Sequence, residues 1–130
     1  MMKDVTHTEL FEPMVHGEIG GAYYDLQNDF SCIKFTYNAE EKKLELRFVN
    51  DDYKLIITFS QSTLAYTNIN PGKSGDKGLE HFYRGRFEWN NNMHEMTEHG
   101  EYFFYLLFQN GDAINVQARQ AVMELSLLNS

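Results

Sequence analysis

One cysteine, two prolines, few basic residues and no long apolar run characterise the sequence by what it lacks. With Cys32 alone, no disulfide can form within the chain. Cys32 falls in a strand-like segment, where it reads as a small core residue rather than a nucleophile. No apolar stretch approaches the length of a membrane-spanning helix. The opening "MMKDVTHTELFEP" has no basic start followed by an apolar run, so it does not read as a signal peptide. These absences predict a soluble, cytoplasmic protein with no membrane association. Basic side chains number 11 against 19 acidic ones, a net charge of −8. Phosphate backbones repel such a field, so nucleic acid is not an expected partner. The same charge favours a basic protein partner, and it also serves solubility.

What the sequence has in excess is aromatic surface. Phe, Tyr and Trp make up 15% of 130 residues, within a hydrophobic total of 42%. That is enough apolar material for one packed domain, and bulky rings suit pleated surfaces better than helix interiors.

Alternation then places the strands. In "FSCIKFTY", Ile33, Phe35 and Tyr37 alternate with Lys34 and Thr36; "LELRF" and "YKLIITF" repeat the pattern after the turns "NAEEKK" and "NDD". Three strands joined by short polar turns predict an antiparallel meander, with "TLAYTNI" as a fourth strand. "NPGKSGDKG" reads as a loop. "GLEHFYRGRFEW" puts Leu79, His81, Tyr83, Phe87 and Trp89 on an inward face, with Phe82 as the exception and Gly85 marking a bulge or close approach. "YFFYLLF" is apolar on both faces, as in a central strand, and Asn110–Gly111 announces a tight hairpin to "AINVQAR". "QAVMELSLL" reads as a last strand. Residues 1–20 have no clean period and read as an irregular arm or short first strand. The prediction is an all-β protein: one domain over residues 1–130, an antiparallel sandwich or curved barrel of about seven to nine strands with little helix.

Chemistry is harder to find. "NNNMHEMTEHGE" holds His94, Glu95, Glu98, His99 and Glu101. A zincin helix needs histidines four apart, and here the second arrives one position late; the inverted motif fails by one residue at Glu95. On a helix His94 and His99 would diverge by about 140°. A solvated acidic loop is therefore expected, with no metal and no cofactor; a metal-dependent enzyme using His94, Glu98 and His99 is the third-ranked alternative. "GKS" at 72–74 lacks the upstream glycine of a phosphate loop, since position 67 is Thr, and Gly75 and Gly78 oppose the helix it needs. His81 reads as a packed ring with one satisfied nitrogen. No serine or cysteine stands in a strained elbow. The chain is not expected to be an enzyme.

Two binding readings remain. In one, an acidic surface formed by Asp51, Asp52, Glu95, Glu98 and Glu101 receives a basic protein. In the other, a barrel cavity lined by Tyr83, Phe87 and Trp89 holds a small molecule.

The closing stretch "FYLLFQNGDAINVQARQAVMEL" resembles the ending, and "VHGEIGGAYYDLQND…IKFTYNAEEKKLELRF" the opening, of small β-rich immunity proteins from bacterial toxin–immunity systems and of related bacterial domains. The resemblance covers about two-thirds of the chain and consists of strands and turns. It implies a cytoplasmic inhibitor that binds one cognate toxin domain, often a basic nuclease. No functional residue carries over, because these families share topology more than binding residues.

Overall fold

The computed structural model describes residues 1–68, 78–89, 92–95 and 103–129, with 65–68, 86–89 and 93–95 described by backbone alone. The strands are β1 (Met2–Asp4), β2 (His16–Ile19), β3 (Ala22–Asp25), β4 (Ser31–Asn38), β5 (Lys43–Val49), β6 (Tyr53–Asn68), β7 (Leu79–Arg84), β8 (Arg86–Trp89), β9 (Asn92–Glu95), β10 (Phe103–Phe108) and β11 (Ala113–Leu127). Seven of them form one antiparallel sheet in the order β4-β5-β6-β11-β10-β7, with β1 added beside β11. This sheet curls into a half-barrel. Hairpins β2–β3 and β8–β9 make two small sheets of their own. The all-β prediction holds. Among the described residues no helix is long and apolar enough to cross a membrane.

Two long strands carry the curl. "YKLIITF" and "TLAYTNI", read separately in the sequence, are one 16-residue strand, β6. "AINVQAR" and "QAVMELSLL" likewise join as the 15-residue β11. Both lose their alternation at one level. In β6, Leu55, Ile57 and Phe59 face the core before Gln61, and Ser62 faces it afterwards. In β11, Ile114, Val116 and Ala118 are buried, then Ala121, Met123 and Leu125, with Arg119 and Gln120 both exposed between them. Gln61 takes a left-handed φ of 47°, rare for a residue with a side chain. The two strands therefore bend together, and the sheet coils more tightly there.

Beyond the bend, one edge of β11 serves two strands. β10 pairs with Ala113–Gln117, and β1 pairs with Val122–Glu124. Residues 1–20 hold the short first strand β1 and an irregular stretch before β2. Gly20 (φ 59°) and Gly21 (φ 84°) supply the positive φ that a two-residue hairpin turn requires, so β2 and β3 pair. Val5, Met14, Val15, Ile19, Tyr24, Leu26 and Phe30 join the sheet residues in one core. Each such side chain contributes about 2 kcal/mol by leaving water. The Tyr24 hydroxyl, which donates to the Met14 carbonyl at 3.1 Å, is pushed up to about 12 by its burial and by the charge of Glu12. The arm also covers the free edge of β7: Phe11 N–H donates to the Arg84 carbonyl (2.9 Å) and Met14 N–H to the Phe82 carbonyl (3.0 Å). The buried Arg84 guanidinium donates back to the Thr8 carbonyl.

Two local readings are corrected. In β7 the inward residues are Leu79, Phe82 and Arg84, because the pairing to β10 shifts register between Leu107 and Phe108 and skips Glu80. His81 and Tyr83 therefore stand on the outer face. In β4, Ile33 is 59% exposed and Phe35 38% exposed, since Ile33 sits at a register shift and the strand lies at the sheet edge. The tight hairpin expected at Asn110–Gly111 forms, with a three-residue loop. Phe108 N–H bonds the Asp112 carbonyl, Gly111 N–H bonds the Phe108 carbonyl, and only Gly111 takes a positive φ, of 93°. Gly85 does mark a close approach: a Cβ there would meet Leu10 Cδ2 at 2.9 Å.

Candidate binding surface

The turn between β5 and β6 is built by Asn50. Its Oδ1 accepts the N–H groups of Asp52 (2.9 Å) and Tyr53 (2.7 Å), and its own N–H donates to the Tyr53 carbonyl at 3.0 Å. An Asx turn of this kind holds Asp51 and Asp52 at the tip, exposed. The end of β11 lies beside it, because Tyr53 pairs with Leu127 and Leu128 N–H donates to the Asp52 carbonyl at 2.9 Å. Leu127 is 60% exposed and Leu128 37% exposed. With Asp51, Asp52, Tyr53 and Asn129 they line an open depression of roughly 450 Å³. Met2, also exposed, pairs with Glu124 at the same end of the sheet. Apolar side chains flanked by carboxylates thus gather at one end of the half-barrel. The two leucines lie outside the sites read from the sequence. The signal was in "MELSLLNS": Leu125 keeps the inward phase, which sends Leu127 past the last covering strand.

The other acidic residues lie elsewhere. Glu95 stands opposite Arg86 in the β8–β9 hairpin, so residues 92–95 are a paired strand rather than a loop. That hairpin leaves the large sheet after Arg84, whose row across the sheet runs through Phe104 and Val116 to Leu64. Leu64 is eleven residues beyond Tyr53 on β6, about 35 Å of strand. Asp51 and Asp52 therefore share a surface with each other and not with Glu95. Glu98, His99 and Glu101 lie outside the described residues, as do Lys73 and Ser74. His94 is placed by its backbone, opposite Phe87. Among the described residues no group of three His, Cys, Asp or Glu side chains is arranged to hold a metal ion.

Of the residues named for a ligand cavity, Tyr83 is half-buried on the outer face of β7, and Phe87 and Trp89 are placed in β8 by backbone alone. The Tyr83 ring lies 5.4 Å from that of His81, with its hydroxyl 3.3 Å from His81 Nδ1. Tyr105, opposite Tyr83, and Asn115, opposite Tyr105, are buried beneath that same outer face.

A second depression went unread in the sequence. His7, Gln61, Thr63, Gln117, Ala118 and Arg119 line about 640 Å³ at the bend of β6 and β11. It adjoins a smaller one shared with Asp4, Thr6, Ser60 and Gln120. Its walls are hydroxyls, amides, an imidazole and a guanidinium, an open polar trough suited to hydrated contacts.

No protein-family model matches the chain, and neither a curated protein nor a solved structure matches it.

Proposed function

We propose that this chain is a non-enzymatic binding protein that neutralises a basic protein partner, in the manner of an immunity protein, through the surface around Asp51, Asp52, Leu127 and Leu128. One observation carries the reading: two leucines at and just past the end of β11 are exposed directly beside two exposed carboxylates. Stable protein interfaces pair an apolar centre with a polar rim, and this surface has that composition. The net charge of −8 supports it, since a negative field raises the encounter rate with a basic partner and disfavours acidic ones. Glu95, at the other end of the sheet, then adds to the field that steers the partner rather than to the contact. In this reading the chain works in a bacterial cytoplasm, beside the toxin it blocks.

The test is co-expression with the product of the adjacent gene. Growth arrest by that product alone, relieved when this chain is present, supports the proposal. A neighbour that is harmless, or whose toxicity this chain leaves unchanged, sinks it.

A further inference from the structure

The two long edges of the half-barrel are treated differently. The edge of β7 is covered by residues 11–14, whereas no described strand pairs with the outer edge of β4 over residues 34–38. Which β4 groups face outward follows from the ladder. The Asn50–Tyr53 hydrogen bond makes that a bonded pair, so Phe48–Leu55, Leu46–Ile57 and Leu44–Phe59 are bonded pairs as well. Glu45 and Arg47 then direct their backbone groups to β4, opposite Thr36 and Lys34. Phe35 and Tyr37 are left with N–H and C=O pointing away from the sheet.

We infer that this edge pairs with β4 of a second copy, antiparallel, about a two-fold axis at Thr36. Self-complementarity argues for this occupant. In that register Phe35 faces Tyr37 of the second copy, both with outward backbone groups, so two bonded pairs form at once. Thr36 meets Thr36 in the close, non-bonded position, and Lys34 meets Asn38. Aromatic and Thr–Thr pairs of this kind are favourable, and no charge opposes its like. Residues 31–38 hold Lys34 and no carboxylate, so two copies of a chain of net charge −8 approach there with least repulsion. The register shift at Ile33 ends the pairing on one side and the turn at Ala39 on the other, which limits the contact to residues 34–38. Exposed Phe35 is covered in the process, and the two half-barrels become one continuous sheet.

Light scattering of the purified chain in the high-micromolar range tests this. The wild type is expected as a dimer. Thr36→Glu and Thr36→Lys, both at an exposed outer-face position of β4 that leaves the core intact, place like charges opposite each other. Each is expected as a folded monomer by circular dichroism. Their equimolar mixture is expected to form a heterodimer. A monomeric wild type overturns the inference, as does a dimer that survives both substitutions. A mixture that stays monomeric overturns the antiparallel register.

Discussion

The Thr6 hydroxyl completes the β11 ladder where the two strands sharing its edge separate: it accepts the Ala121 N–H at 2.9 Å and donates to the Ala121 carbonyl at 3.3 Å. Val5 N–H also reaches that carbonyl, at 2.9 Å, but the Ala121 N–H depends on Thr6. Thr6→Val keeps the shape and strands a buried donor. It is expected to cost about 1–3 kcal/mol in urea denaturation, and Thr6→Ser about 1 kcal/mol or less. A larger loss for Thr6→Ser than for Thr6→Val would show that packing of the methyl group, not the hydrogen bond, matters.

Gln61 sits within a strand at φ 47°, where a Cβ crowds the carbonyl that follows it. Glycine has no such clash. Gln61→Gly should therefore raise stability by up to about 1 kcal/mol, read from the denaturation midpoint. A loss of similar size would mean that the side chain, which lines the polar trough, holds the bend in place.

Gly85 combines a φ of 93° with a Cβ position 2.9 Å from Leu10 and 3.1 Å from Phe11. Gly85→Ala must strain the backbone and push the N-terminal arm off the edge of β7. A loss of about 2 kcal/mol or more is expected, with faster proteolysis within residues 8–14. Retention of full stability would show that the arm yields freely at Leu10.

Asp25 carries the pH dependence that is easiest to read. Burial raises its carboxyl, but hydrogen bonds from the Asn28 side chain (2.9 Å) and from the N–H groups of Asn28 and Gln27 outweigh it, holding it below the usual 3.8. A carboxyl lowered in the folded state stabilises fully above its unfolded value, and that contribution is lost as pH falls through the folded one. Asp25→Asn should thus lower stability at pH 7 by roughly 0.5 kcal/mol, small because the turn is partly solvated, and have a smaller effect at about pH 2. Equal effects at both pH values would assign the loss to turn geometry instead of charge.

How much of this was legible depended on where alternation was unbroken. Leu44, Leu46 and Phe48, like Leu55, Ile57 and Phe59, keep strict period two and are all buried. The meander could be read directly from them. Faces were misassigned in β7, where the skipped Glu80 inverts every side chain beyond it and puts Tyr83 outside. The N-terminal hairpin escaped because its strands are four residues each, too short to show a period. Doubled polar residues such as Arg119–Gln120 mark the bend in retrospect, because a strand cannot turn both to solvent without twisting. Asp51 and Asp52 were recognisable as a solvated turn, but their separation from Glu95 was not, because it depends on how far β6 runs past the meander.

The surface that joins Asp51 and Asp52 to Leu127 and Leu128 decides whether the chain binds a basic partner in this way. The direct measurement is a binding titration of the adjacent-gene product against the wild type and against the triple variant Asp51→Lys, Asp52→Lys, Leu127→Ser, which alters exposed side chains alone. Tight binding by the wild type, weakened about 100-fold or more in the variant, is predicted, since hot-spot side chains and close charge pairs each contribute about 2 kcal/mol or more. Equal affinity for both proteins would contradict it.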